Sequence, residues 1–186
     1  MLSRHGIRYP GKKDIVNGHA MISEMKSRGI SPAVVEGLES VLESFPVSEA
    51  SLLASAGATE QWELGRRTGQ RFASVFHTSD RLTFVSSTSQ RAVASRKSFE
   101  LGFSEALGWN VSRSDQLRDD LLRFFDLCPR YITEVKTSKS AFAEQHKFCR
   151  KMFPHVVQRV AGRLSVDNLN FSDRKFCGIC QRRLGL

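Results

Sequence analysis

The period of the apolar positions changes along the chain, and the changes divide it into elements. Between Lys12 and Arg28, Ile15, His19, Ile22 and Met25 recur at helical spacing and Gly29 closes the run, which predicts a first helix. Ser31-Pro32 reads as an N-cap with proline at the first helical position, and Val35, Leu38, Val41 or Leu42, and Phe45 form a second stripe ending at Pro46. A third helix is expected from Thr59 to Phe76 with Trp62, Gly65, Phe72 and Phe76 on one side. Leu82-Thr83-Phe84-Val85-Ser86-Ser87 is a short β-rich run introduced by Asp80 and Arg81, and it predicts a strand. Val93, Phe99, Phe103 and Leu107 then mark a helix from Gln90 to Leu107. Strand, polar turn and helix in that order place free backbone N–H groups at a helix N-terminus, where anions bind. From Asp115 onward the pattern is helical throughout, up to the unpatterned stretch Lys175 to Leu186. The expected organisation is an α/β layer over residues 1–114, followed by a helical subdomain over residues 115–186.

Charge narrows the partners. Lys and Arg number 28 against 19 Asp and Glu, a formal charge of +9, so an anion is the first candidate: nucleic acid, anionic lipid or a polyphosphate metabolite. No reader motif or aromatic stacking face supports nucleic acid, which is set aside. Hydrophobic residues at 40% and charged residues at 25% exclude disorder as a description of the whole chain. No apolar run is long enough to span a bilayer, and Met1-Leu2-Ser3 leaves no room for a signal peptide ahead of the first motif. The cysteines Cys128, Cys149, Cys177 and Cys180 define no compartment. Cys177-Gly178-Ile179-Cys180 lacks a second pair at ligand spacing, so neither a metal nor another cofactor is assigned. Asn110-Val111-Ser112 and Asn170-Phe171-Ser172 are glycosylation sequons for a chain on the secretory route.

The informative heptapeptide is Arg4-His5-Gly6-Ile7-Arg8-Tyr9-Pro10. Phosphoryl transfer to a protein nucleophile needs a neutral imidazole nitrogen in line with the leaving oxygen and cations around the nonbridging oxygens. Arginine at −1 and +3 of the histidine supplies the cations, and its planar fork can hold two phosphate oxygens at once. Glycine at +1 allows close backbone approach. An isolated Arg-His-Gly is more often an ordinary polar turn, and Arg91 alone would be a surface residue on a helix's first turn.

Two motifs in order change that weighing. The heptapeptide resembles the Arg-His-Gly-x-Arg-x-Pro signature of the histidine phosphatase superfamily, in its acid phosphatase and phytase branch, and Tyr9 before Pro10 is similar to its inositol polyphosphate phosphatases. Phe84-Val85-Ser86-Ser87-Thr88-Ser89-Gln90-Arg91 resembles the family's strand ending in Ser-Ser ahead of a third arginine. Gly57-Ala58-Thr59-Glu60 resembles the Gly-x-x-Glu helix before that strand, and Arg123-Phe124-Phe125-Asp126-Leu127-Cys128 the segment that opens the helical cap. The similarity runs from Arg4 to about Leu169. Read from the residues alone, Arg123 and Asp126 are a surface i,i+3 pair.

The resemblance implies an α/β fold, an incomplete mixed sheet flanked by helices with the start of an inserted helical cap. It implies His5 as the phosphohistidine, Arg4, Arg8 and Arg91 as catalytic and substrate-binding residues, and Ser87 or Ser86 lining the turn. It implies an inositol polyphosphate or another small phosphomonoester as substrate, with 2,3-bisphosphoglycerate a second candidate, and the endoplasmic reticulum lumen or secretion as location. The chain departs from the pattern at both ends: three residues cannot form the strand that leads to the nucleophile, and none of His19, His77, His146 and His155 opens the late His-Ala-Glu or His-Asp motif that supplies the proton donor. The expectation is a truncated member with impaired turnover, and the alternative is a noncatalytic anion-binding fragment or pseudophosphatase.

Overall fold

A computed structural model describes residues 1–110 and 112–164. The chain opens with an extended segment and then α1 (Lys12–Ser27), α2 (Pro32–Glu43) and α3 (Ser55–Arg71). Strand β1 (Arg81–Ser86), α4 (Gln90–Leu107), β2 (Ser112–Leu117) and the single turn α5 (Asp119–Leu122) follow. Beyond a 3-10 turn at Phe124–Leu127 come α6 (Pro129–Tyr131), a π turn at Ile132–Lys136, α7 (Lys139–Met152) and α8 (Pro154–Leu164). These elements form two compact units, one from Met1–Pro10 and Ser48–Leu127, the other from Gly11–Val47 and the chain from Cys128 onward.

In the second unit, α1 begins where Asp14 Oδ2 accepts the Gly11 N–H at 3.3 Å, and it ends at Gly29, whose φ of 71° suits glycine. The buried residues Ile22, Met25, Ile30 and Val35 form its core, with Met21, Leu42, Val160 and Ala161 packed around them. Ile15 is also buried, as the helical period predicts, whereas His19 faces solvent. An imidazole is costlier to bury than an isoleucine, so the period admits it while the packing excludes it.

The first unit is a β–α–β unit. β1 and β2 pair in parallel, Arg81 opposite Ser112 through Ser86 opposite Leu117, and α4 supplies the crossover that parallel neighbours need. Among the described residues these are the only paired strands, so the sheet is parallel there, where a mixed one was expected. The helical pattern read from Asp115 also starts too early, because β2 runs to Leu117. Ser112-Arg113-Ser114-Asp115-Gln116-Leu117 has no β-branched or aromatic residue, and its pairing comes from the backbone and the crossover.

Phe84 of β1 packs on Phe99 and Phe103 of α4, with ring centroids 6.3 and 6.1 Å apart, and Phe76 meets Phe103 edge-on at 5.3 Å. On α3 the buried face keeps Gly65 from the expected stripe but is otherwise Gly57, Gln61 and Gly69, at a spacing of four, rather than the aromatic residues. A methyl group at Gly65 would overlap the Phe99 carbonyl of α4, and one at Gly102 would overlap the Trp62 carbonyl of α3. Small residues along an i±4n row let the two backbones touch. Phe72 lies past the helix end and is exposed.

Candidate active site

The segment from Arg4 to Pro10 is fastened along its length. Tyr9 N–H donates to Leu52 O at 2.9 Å, Ser51 N–H to Pro10 O at 3.0 Å and Ala54 N–H to Ile7 O at 3.0 Å, with Arg8 and Leu53 forming an antiparallel bridge. Gly6 sits directly on the first turn of α3: a Cβ there would overlap the Gly57 carbonyl, and one at Gly57 would overlap the carbonyl of Ile7. No other residue fits at either place without moving backbone. Gln61 Nε2 donates to Arg4 O at 3.3 Å, and Ile7 N–H donates to Glu60 Oε2 at 3.0 Å. From α4, the buried hydroxyl of Ser95 accepts the Gly6 N–H at 3.0 Å.

The turn between β1 and α4 is held from the other side. Asp119 takes two bonds from Thr88, the N–H to Oδ1 at 2.8 Å and Oγ1–H to Oδ2 at 2.6 Å. Arg118 N–H donates to Ser86 O at 3.0 Å, continuing past the end of β2. Gln90 Oε1 accepts the Leu53 N–H at 3.1 Å, so the first residue of α4 also holds the strand that pairs with Arg8. Ser87 Oγ lies 3.1 Å from Ser89 Oγ, within the turn itself.

His5 is half-buried, and its Nδ1 lies 2.8 Å from the Gly6 carbonyl oxygen. A carbonyl can only accept, so Nδ1 carries the hydrogen and Nε2 keeps the lone pair. Burial pushes the His5 pKa below its usual value; the Gly6 hydrogen bond opposes this, and the positive charges of Arg91, Arg4 and Arg8 add to the depression. The Arg91 guanidinium is lowered in the same way, by burial first and then by Arg8, Arg123 and Arg4. These mutual repulsions place His5, Arg4, Arg8 and Arg91 in one electrostatic cluster, although Arg91 is remote from the other three in sequence. Its Nε is buried without a hydrogen-bond partner, and none of Arg4, Arg8 and Arg91 forms an ion pair among the described residues. Cations drawn together with no carboxylate between them are a site for an anion.

Several residues of this site were not assigned to it from sequence. Arg123 was read as half of a surface pair, and it does bind Asp126, Nη2 to Oδ2 at 2.7 Å and Nε to Oδ2 at 3.0 Å. Its charge also lowers the pKa values of Arg91 and Asp119, and its backbone N–H donates to Asp119 O at 2.8 Å at the end of α5. Ser95 was missed, although its place four residues after Arg91 put both on one face of α4. The only signal for Glu60 was its place in Gly57-x-x-Glu60. No group of three or more His, Cys, Asp or Glu that could hold a metal occurs among the described residues, and Cys177 and Cys180 lie outside them.

The family model for the histidine phosphatase superfamily, branch 2, matches residues 1–176. The chain is 28% identical over 149 residues to multiple inositol polyphosphate phosphatase 1 of Gallus gallus, an alignment covering 78% of this chain and 33% of the relative. Against multiple inositol polyphosphate phosphatase 1 of Homo sapiens it is 28% identical over 188 residues, covering 89% of this chain and 38% of the relative. The chain thus spans somewhat over a third of the length of these curated relatives at most. With its β–α–β unit, its Arg-His-Gly loop and a match over nearly its whole length, the chain belongs to branch 2 of the histidine phosphatase superfamily.

Proposed function

We propose that this chain is the phosphate-binding and nucleophilic part of a phosphomonoesterase that acts on inositol polyphosphates through a phosphohistidine on His5. The observation that carries this reading is the bond from His5 Nδ1–H to Gly6 O, which leaves Nε2 as the attacking atom. In the reaction, Nε2 bonds to phosphorus and the bond to the leaving oxygen breaks, with a proton delivered to that oxygen. Water then cleaves the phosphoimidazole, returning neutral His5 and inorganic phosphate. Arg4, Arg8 and Arg91 stabilise the charge spread over the equatorial oxygens, the main task of a protein in phosphoryl transfer. Ser87 lines the turn ahead of Arg91. Arg123 also repels the Arg91 guanidinium, although its own charge is offset by Asp126. The two relatives are named for inositol polyphosphates, which supports the same substrate class.

The second reading, phosphate binding with little turnover by these residues alone, is favoured by the lack of a proton donor among them. Asp119 is a poor candidate, because its hydrogen bonds from Thr88 hold its pKa below the usual carboxylate value. Loss of a general acid costs about 10²–10⁴-fold. Location in the endoplasmic reticulum lumen or outside the cell is supported by the resemblance and by exposed Asn110 at the head of a sequon. No helix of the described residues is long and apolar enough to cross a membrane.

The test uses a phosphate ester whose leaving group needs no protonation, 2,4-dinitrophenyl phosphate, with purified chain quenched in alkali. The expected result is an acid-labile phosphoenzyme that His5→Ala abolishes. Release without a phosphoenzyme, or a phosphoenzyme that survives His5→Ala, overturns the reading.

A further inference from the structure

We propose that Glu60 is a positioning residue for the nucleophile, acting on His5 through the single peptide group that joins Gly6 to Ile7; the proposal rests on the phosphohistidine reading above. That peptide group is bonded at both ends. Its carbonyl, Gly6 O, accepts His5 Nδ1–H at 2.8 Å, and its N–H, that of Ile7, donates to Glu60 Oε2 at 3.0 Å. The imidazole, one amide and a carboxylate therefore form a continuous chain of hydrogen bonds.

An amide N–H given to a carboxylate shifts electron density toward the oxygen of the same amide, so Gly6 O becomes a stronger acceptor. The stronger acceptor holds the ring in the tautomer with Nε2 free. It also stabilises the positive charge that the imidazole gains as Nε2 bonds to phosphorus, against the repulsion of Arg4 and Arg8 in the loop and Arg91 from α4. The amide cannot swing away from this role. Ser95 holds the preceding N–H, Ala54 N–H holds Ile7 O, and the backbones of Gly6 and Gly57 are in contact.

Glu60 is free to act this way because its carboxylate enters no ion pair among the described residues, while on the same helix Glu63 is tied to Arg67 at 3.3 Å. A purely structural acceptor for one N–H would not need a charge; a neutral amide or hydroxyl would serve. Glu60 is exposed, so its influence passes mainly through the bonded amide rather than through solvent-screened space.

The experiment compares wild type, Glu60→Gln and Glu60→Asp by nuclear magnetic resonance titration of His5 and by the rate of phosphoenzyme formation from 2,4-dinitrophenyl phosphate. Glu60→Gln keeps the acceptor and removes the charge. His5 should then titrate at lower pH than in wild type, and phosphoenzyme formation should slow on the order of tenfold, the loss of about 1.4 kcal/mol. Affinity for inorganic phosphate should stay unchanged because the arginines are untouched. Glu60→Asp, which keeps the charge, should lie closer to wild type in both readouts. Wild-type titration and rate in Glu60→Gln overturn the proposal, as does an equal shift in both variants, because the charge is lost in one and kept in the other. Should wild type bind phosphate without forming a phosphoenzyme, the phosphatase reading fails, and the His5 titration still decides the role of Glu60.

Discussion

In the proposed reaction His5 attacks only while its imidazole is neutral, and three of its neighbours are cations. Burial and then the repulsion of Arg91, Arg4 and Arg8 disfavour the imidazolium, so the ring stays deprotonated to a more acid pH than an exposed histidine would. The sign is testable: Arg91→Gln removes one repelling charge and should raise the His5 pKa toward its ordinary value, read by the same titration, while weakening phosphate binding. Ser95 acts by a different means. Its hydroxyl satisfies a buried Gly6 N–H, and Ser95→Ala should cost about 1–3 kcal/mol by stranding that donor, measured by urea unfolding. Ser95→Thr, which keeps the hydroxyl, should cost less. Arg4, His5, Arg8 and Arg91 were singled out from sequence because two motifs in order resemble a family signature. Ser95 was not, because a serine on a helix has no signature until the loop it holds is placed beside it.

At the scale of elements, the boundaries of α1, α2 and α4 follow the sequence closely because capping residues and an apolar period coincide there. The face of α3 does so only at Gly65, since period assignments weigh hydrophobicity and glycine has little. Gly57, Gly65 and Gly69 mark the contact by what they lack. Gly65→Ala gives a sharp comparison of effects. Alanine gains about 1 kcal/mol of helix propensity. Overpacking costs about 1–3 kcal/mol, at the upper end here because the obstacle is the Phe99 backbone carbonyl, which cannot rotate aside. A net destabilisation in urea unfolding, with reduced phosphate binding as α4 is pushed off α3, is expected. Neutral or improved stability would show that the helices can separate freely.

Across the whole molecule, each compact unit draws on two stretches of chain, and all of the candidate site belongs to the unit formed by Met1–Pro10 and Ser48–Leu127. Phosphate bound there should stabilise it through mass action, by about 2.7 kcal/mol at a hundred times Kd. Hydrogen exchange with and without phosphate should therefore slow in the Arg4 to Pro10 loop and the first turn of α4, and much less in α1 and α2. Protection confined to α1 and α2 would put the anion elsewhere. The effect should weaken with added salt, as binding by clustered cations does.

From residue types and their order alone follow the strand–turn–helix at Leu82 to Leu107 and the +9 charge that makes an anion the first candidate partner, while the motifs of one histidine and three arginines resemble a family signature. These are local or additive properties, so a one-dimensional reading reaches them. Tertiary structure alone decided that polar Ser112–Leu117 is a strand, that Gly57 and Gly69 join Gly65 on the buried face of α3, that Ser95 and Glu60 hold the loop after His5, and that Arg123 acts on Arg91. Each of these depends on a partner far along the chain, and a hydrogen bond or a close backbone approach between distant residues leaves no mark in the local pattern of either.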